Sequence, residues 1–471
     1  MGIGYFQLTV TSEQDKYLVG NPQFTYFKSV HKRHTNFAIE NRVLNFVGET
    51  TLNTNSNFGK KYYAKIPKIG DLLHRMYIVF ELESASDLKS IQQEFGISAH
   101  SLIDNVQISI GDQVIDKHTG DWLHIFSELN GKGNISLCDM LNTHLNSKGN
   151  GIGGEIELKF KDGLVYVPLQ FWFNRNVGLS LPLMSLQYSD VKIELQLNKR
   201  SKITNIGNSG KNNSKINQIY LLSEFIHLDK DERVLFASNQ HEYLIEQVQI
   251  NDKLNVPLKT EISDLDFEEY THKFELPFNH PVKELIWVLQ DSNSKKDITG
   301  KEYIDSWNLP VTKERTNVGN HLFNYWRNLD WENQADQLIN ATISLNGTEL
   351  CKPQGASYFR NVQKYQYHSD FGYDNLSFTK DQYNYSNADL SRGSGIYSYS
   401  FSLNPENHEP SGSLNFSKLD KTELRLRIRR DFHNNSKSEG FSLNNKILKI
   451  FALNYNVLRV MSGHAGLVFQ N

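Results

Sequence analysis

The sequence predicts an all-β chain: two tandem eight-stranded antiparallel jelly-roll β-sandwiches, a double jelly roll, with short helices and long loop insertions. Three observations carry that expectation. Alternation of apolar and polar residues with period two dominates the chain. Aromatic residues, mostly 27 Phe and 22 Tyr, make up 12% of it, a bias toward sheet. A hairpin pattern near residue 110 returns near residue 345, as in a duplication.

At 471 residues the chain exceeds what one hydrophobic core organises, so two domains are expected. The division read from the sequence is an N-terminal arm over 1–24, a first jelly roll over 25–228, a connector helix over 229–242 and a second jelly roll over 243–471.

Taken in order, the first strong element is the near-continuous apolar run Met76 to Leu82, expected of a central strand. Ile108 to Ile115 reads as a hairpin with a Gly111-Asp112 turn. Thr119 to Leu129 places Trp122, Ile125, Phe126 and Leu129 on one helical stripe. Leu169, Phe171 and Phe173 are expected on one face of a strand, with Gln170 and Trp172 on the other. Val191 to Leu197 alternates through seven residues. Asp229 and Glu232 have the spacing of a capping box, so a helix is expected from there to about Ala237. Leu285 to Leu289 is another central run, Ile343 to Leu350 a hairpin with an Asn346-Gly347 turn, and Glu423 to Arg429 another alternating strand. Three stretches read as exposed loops: 130–154, 199–217 and the Tyr-, Ser- and Asn-rich 377–412.

The repeat is argued from spacing. The two hairpins are 235 residues apart (343 − 108). Val191, Ile193 and Leu195 pair with Leu424, Leu426 and Ile428 at an offset of 233, and Tyr220–Phe225 with Ile450–Tyr455 at 230. Three landmarks in one order at nearly one offset argue for a β domain used twice. Within the all-β repertoire, an eight-stranded jelly roll best accommodates two long-looped repeats of about 200 residues.

Composition narrows function. With 50 basic against 53 acidic residues, net charge −3, the chain lacks the field of a general nucleic-acid coat, and no sequence-specific nucleic-acid partner is expected. Cys138 and Cys351 are too few for a disulfide scaffold or a thiolate metal cage. Mean hydropathy is −0.52 and no apolar run approaches a bilayer span. The opening residues show no signal peptide, which points to synthesis in the cytosol. Asn, 48 residues of the chain, suits many turns.

No catalytic, cofactor or metal site is expected. His31 and His34 bracket Lys32 and Arg33 in a basic cluster, read as a solvated turn or a protein contact because four charges make a weak field in salt. Neither HExxH nor paired Cys accompanies them to make a zinc site. Arg425, Arg427 and Arg429 alternate with Leu424, Leu426 and Ile428, so they belong on the outer face of one strand, with Arg430 following. Gly149, Gly151, Gly153 and Gly154 lack the Lys-Ser/Thr of a phosphate loop, and Gly393-Ser-Gly395 lacks the spacing of a nucleophile elbow. Asp264, Asp266 and Glu268 read as acidic loop residues rather than a glycosidase pair or calcium site. Of eight Asn-x-Ser/Thr sequons, Asn134, Asn212 and Asn384 are the candidates for glycosylation. Asn346, in a tight turn, and Asn415 are expected to stay bare, and Asn340, Asn375 and Asn434 complete the set.

Several stretches together resemble one family. Val19 to Glu40 (VGNPQFTYFKSVHKRHTNFAIE) is similar to the N-terminal signature of major capsid proteins of nucleocytoplasmic large DNA viruses, the group of iridoviruses, phycodnaviruses and mimivirus relatives. Val167 to Asn176 (VPLQFWFNRN) and Leu181 to Tyr188 (LPLMSLQY) resemble its first domain. Asn279 to Trp287 (NHPVKELIW), Ser411 to Ser417 (SGSLNFS) and Asn454 to Gly463 (NYNVLRVMSG) resemble its second. The opening Gly2 to Gln14 departs from the family's usual start, and 208–217 and 377–412 look lineage-specific.

The resemblance implies a double jelly roll that forms homotrimers and then trimer–trimer lattice contacts in an icosahedral virion shell. Strands would stand upright, long loops face outward, and the arm face inward toward minor capsid or penton proteins and any inner membrane. Synthesis and assembly are expected in the host cytoplasm, without catalysis or cofactor. The rival readings are a jelly-roll lectin or carbohydrate-active protein, resting on a sugar platform at Trp326 or Trp331, and a minor capsid or scaffold protein of the same fold.

Overall fold

The computed structural model describes residue 5 and residues 14–48, 57–82, 99–130, 137, 140–141, 164–199, 216–256, 270–291, 325, 336, 338–369, 395–428 and 446–470. Residues 1–37 and 38–471 are separate compact units. The described part of the first holds the one-turn helix Lys16–Val19.

The second unit is built from four antiparallel sheets. In the first repeat, Phe37–Asn45, Ile216–Leu228, Leu72–Leu82 and Leu164–Pro168 lie side by side in that order. Opposite them run Lys61–Lys65, Val191–Leu197, Ile103–Ile110 and Gln113–Thr119. Counting these eight strands along the chain, the sheets read 1-8-3-6 and 2-7-4-5. The second repeat gives the same two orders. Its sheets are His241–Val256, Lys446–Met461, Pro281–Asp291, Ile396–Ser400 and Tyr270–Glu275, Thr422–Ile428, Leu338–Leu345, Thr348–Glu349. Two sheets wound this way form a jelly roll. The chain makes it twice.

Register shows how close the copies are. Leu221 pairs with Ile78 and Ile78 with Val167, while Ile450 pairs with Trp287 and Trp287 with Tyr397. Each row lies in the core of its own sandwich. Leu73, Met76, Ile78 and Phe80 in the first core recur as Val282, Leu285, Trp287 and Leu289 in the second, an offset of 209 (282 − 73). Beyond the third strand the offset grows to 235, as between Ile108 and Ile343, because the segment 292–337 is longer than 83–102.

The hairpins form as expected. Gly111 takes φ 61, and Asn346 and Gly347 take φ 48 and 84, the left-handed conformations that tight hairpins need. The runs around Met76 and Leu285 are central strands.

Three expectations change. Leu169, Phe171 and Phe173 are not in a strand: the ladder ends at Pro168, which has no N–H to donate, and the chain turns into the helix Trp172–Arg175. Phe171, Trp172 and Phe173 are all buried, so the run was apolar on every side rather than two-faced. The 377–412 stretch contains the strand Ile396–Ser400, whose alternating Tyr and Ser read as loop composition. The helix Lys230–Ser238 has Asp229 as N-cap, but its carboxylate accepts from the Lys230 N–H and Glu232 does not return the bond, so the capping box is half made.

Candidate assembly interface

The two sandwiches meet at a buried seam built on the helix Gly120–Asn130. Its first turn is closed by the Thr119 hydroxyl, which accepts from the Trp122 N–H at 3.2 Å. Gly120 is required there, since a Cβ would sit 2.4 Å from the carbonyl oxygens of both His100 and Ile103. Trp122, Ile125 and Leu129 project onto the outer face of the sheet of the second sandwich, against Ile286, Val288, Phe451 and Leu453. The Trp122 and Phe451 rings lie 5.5 Å apart. Each such side chain contributes roughly 1.5–3 kcal/mol by leaving water.

Below the apolar patch the seam is ionic. Glu246 holds Arg175 of the first sandwich at 2.7 Å and also pairs with the fully buried Lys283. Burial raises the Glu246 carboxyl, but the charges of Arg175 and Lys283 outweigh it and leave it below the usual range. Beside this triad, His368 meets Glu284 at 2.5 Å, with Asn130 and Glu406 on its other nitrogen. Burial alone would lower the His368 pKa; the Glu284 carboxylate, then Glu406, push it up to about 9. Lys449 and Asp121 add a bridge of 2.7 Å. Backbone polar groups are tied across the seam as well: Val248 N–H donates to Asp116, and Gln247 donates to the Ile115 carbonyl.

The outer surfaces are of a different kind. In the 1–37 unit Leu18, Val19, Phe24, Tyr26, Phe27 and Val30 are exposed, Phe27 at 99%. Within the other unit the edge strand Phe37–Asn45 presents Ile39 and Val43 to solvent. Long exposed edges and apolar clusters mark surfaces that pair with another chain.

Among the described residues, the sequence candidates do not gather into a reactive site. His31 and His34 are exposed in the first unit, and His34 bonds the adjacent Thr35 carbonyl. Arg425 lies on the outer sheet face as expected, paired with Glu423 and Glu349 at 3.2 Å each, and Leu424, Leu426 and Ile428 fill the core. Asn346 accepts from the Lys421 N–H and Asn415 from the Ser417 N–H. Asn340 sits in a central strand. Arg429, Arg430, Cys138, Asp264, Asp266, Glu268, Gly149–Gly154, Gly393, Trp326, Trp331 and the sequons Asn134, Asn212, Asn375, Asn384 and Asn434 lie outside the described residues. Among the described residues no group of three or more His, Cys, Asp or Glu is placed to hold a metal, and no helix is long and apolar enough to cross a membrane. What sequence reading missed is the ion cluster. Its signal was Lys283-Glu284 inside the otherwise apolar run Val282 to Leu289.

Comparison with known proteins gives a consistent result. Residues 25–229 match the family described as "Major capsid protein N-terminus", and residues 232–466 that described as "Large eukaryotic DNA virus major capsid protein". The major capsid protein of Pyramimonas orientalis virus is 36% identical and that of Paramecium bursaria Chlorella virus 1 is 31% identical, each over the whole of both chains. In a quasi-atomic model of the Paramecium bursaria Chlorella virus 1 capsid, a 28% identical chain superimposes with a TM-score of 0.68, covering 95% of this chain and 100% of that one.

Proposed function

The chain belongs to the major capsid proteins of large eukaryotic DNA viruses, and from that premise we propose that three copies close into a pseudo-hexagonal capsomer that tiles an icosahedral shell. It is a structural protein of the virion, as its relatives are, and not an enzyme. The observation that carries the trimer is the strand order, 1-8-3-6 over 2-7-4-5, made twice in one chain. Two like sandwiches fixed at a buried seam and repeated about a threefold axis present six near-equivalent walls, which pack hexagonally.

On this reading the chain divides into an arm (1–24), two jelly rolls (25–228 and 243–471) and a connector (229–242). The exposed aromatics of the arm supply contacts to minor capsid or penton proteins on the inner side of the shell, near any inner membrane. Tile-to-tile contacts can be individually weak because a closed shell multiplies them. Assembly takes place in the host cytoplasm.

The test is native mass and shape. Purified protein should run at three times 54.3 kDa and show hexagonal outlines in negative stain. Monomer across all protein and salt concentrations would overturn the proposal.

A further inference from the structure

The sheet ordered 2-7-4-5 occurs in both sandwiches, and its outer face is finished differently in each. By register, Lys65 and Lys192 of the first sandwich correspond to Glu275 and Glu423 of the second, and Glu194 to Arg425. In the second sandwich these charges satisfy one another. Glu423 takes Lys421 at 2.7 Å and Arg425 at 3.2 Å, and Arg425 also reaches Glu349. In the first, Lys65 takes Asp190 at 2.7 Å and Gln107 donates to Glu194. That leaves Lys61, Lys117 and Lys192 without an ion pair among the described residues.

The same face has an apolar middle open to water. Tyr63 pairs across the ladder with Val47, and the two are 49% and 54% exposed. Tyr63 shares its row with Glu194, Gln107 and Lys117, and Lys61 and Lys65 flank it two residues away on its own strand. Lys61, Lys65 and Lys117 are exposed as well. An aromatic centre ringed by cations fits a partner that is apolar in the middle and acidic at its border.

A surface of that kind lies on the connector helix Lys230–Ser238. Asp231, Val234, Leu235 and Ser238 fall on one stripe, at the spacing where a helix ordinarily buries its apolar side. Here all four are exposed, Val234 and Leu235 at 59% each, and no residue of the helix is buried. Polar tethers hold the helix instead. Arg233 meets the buried Asp71 at 2.9 Å, and the Phe236 carbonyl accepts from the Ser185 hydroxyl at 2.8 Å and from the His241 ring at 2.7 Å. Asp231 and Glu232 have no ion pair among the described residues.

We propose that the stripe Asp231, Val234 and Leu235 of one copy seats on the sheet face Lys61, Tyr63 and Lys117 of a copy in the adjoining capsomer. This inference rests on the tiling reading and specifies one of its contacts. Val234 and Leu235 cover Tyr63 and Val47, while Asp231 and Glu232 meet the unpaired lysines. Each copy offers one helix and one sheet face, so the contact is heterologous and can continue from tile to tile. The second sandwich, with its charges already paired, offers no rival face.

The experiment mixes equal amounts of unlabelled and nitrogen-15-labelled protein at high concentration and low salt, then joins lysines to carboxylates with a carbodiimide. Mass spectrometry should find mixed-isotope cross-links between Lys61, Lys117 or Lys192 and Asp231 or Glu232. Sedimentation of the wild type, the sheet variant K61E/K117E, the helix variant D231K/E232K and the chain carrying all four changes measures association beyond the trimer. Circular dichroism and thermal midpoint check that each variant folds. Either surface changed alone should weaken that association at least about tenfold, and all four changes together should return it to within about threefold of wild type. Absence of these cross-links, or cross-links confined to one isotope, overturns the contact and leaves a trimeric wild type standing. Equal association in the sheet or helix variant overturns it too, as does failure of the four changes to restore it. A wild type that is not trimeric at low concentration overturns the capsomer reading, while the mixed-isotope cross-links still decide this contact.

Discussion

The Asp116 carboxylate accepts a hydrogen bond from the Val248 N–H at 3.2 Å, tying the fifth strand of one sandwich to the first strand of the other. The same carboxylate lies 2.9 Å from His118, which stacks on Phe171. The seam is therefore specified by directional polar contacts as well as by packing, and its energetics can be probed residue by residue.

Acidity should act on the seam through His368. Its folded pKa, about 9, lies above its ordinary 6.5, so the bound proton stabilises the fold. That contribution is complete below about pH 6.5 and disappears as pH rises through 9, for a loss of about 3 kcal/mol. Urea unfolding at pH 6.5 and pH 9.5 measures it. His368→Gln should remove most of the slope; an unchanged slope would assign the effect to another group.

Glu246 balances two cations, so Glu246→Ala should cost about 3–5 kcal/mol by stranding the buried Lys283 beside Arg175. Arg175→Ala should cost less, because the Glu246–Lys283 pair survives and Arg175 is partly exposed. Chemical denaturation of the two variants tests the order, and the reverse ranking would contradict it.

Gly120→Ala should destabilise although alanine is the better helix former by about 1 kcal/mol. The added methyl meets two backbone carbonyls at 2.4 Å, and neither can move without shifting the turn that carries His100 and Ile103. A fall in thermal midpoint of several degrees is expected. A rise would show that the turn yields.

Gly347→Ala is the opposite case. No atom lies within 4 Å of the added carbon, so any loss comes only from φ 84, a conformation costing a non-glycine residue about 1 kcal/mol. Equilibrium unfolding should show that small deficit with the hairpin intact. A cost several times larger would mean that the turn is strained elsewhere.

Much of this architecture is readable in the residues, and the exceptions have physical causes. The hairpin offset of 235 holds because turn chemistry fixes register to the residue. The seventh strands, aligned at 233 from alternation, correspond at 231: Ile193 pairs with Ile108 as Leu424 pairs with Ile343. Sliding by two preserves every apolar face, so alternation alone cannot choose between them. Tyr220 and Ile450 were likewise one residue out, since Leu221 is the true partner position of Ile450. The ion cluster was hidden for another reason. Arg175, Glu246, Lys283 and His368 come from four distant segments, and only the fold brings their charges together.

One strand passes through all three apolar regions. Ile245 lies in the core of the first sandwich, Val248 in the seam and Val256 in the core of the second. Its neighbour Lys446–Met461 does the same in reverse, with Leu448 in the second core and Val460 in the first. Cutting the polypeptide at the connector would therefore not release two free-standing proteins. The leading fragment would have a gap in its interior where Ile245, Leu458 and Val460 belong, and the trailing fragment would carry those side chains into water. The two sandwiches are one object that does not divide at the connector.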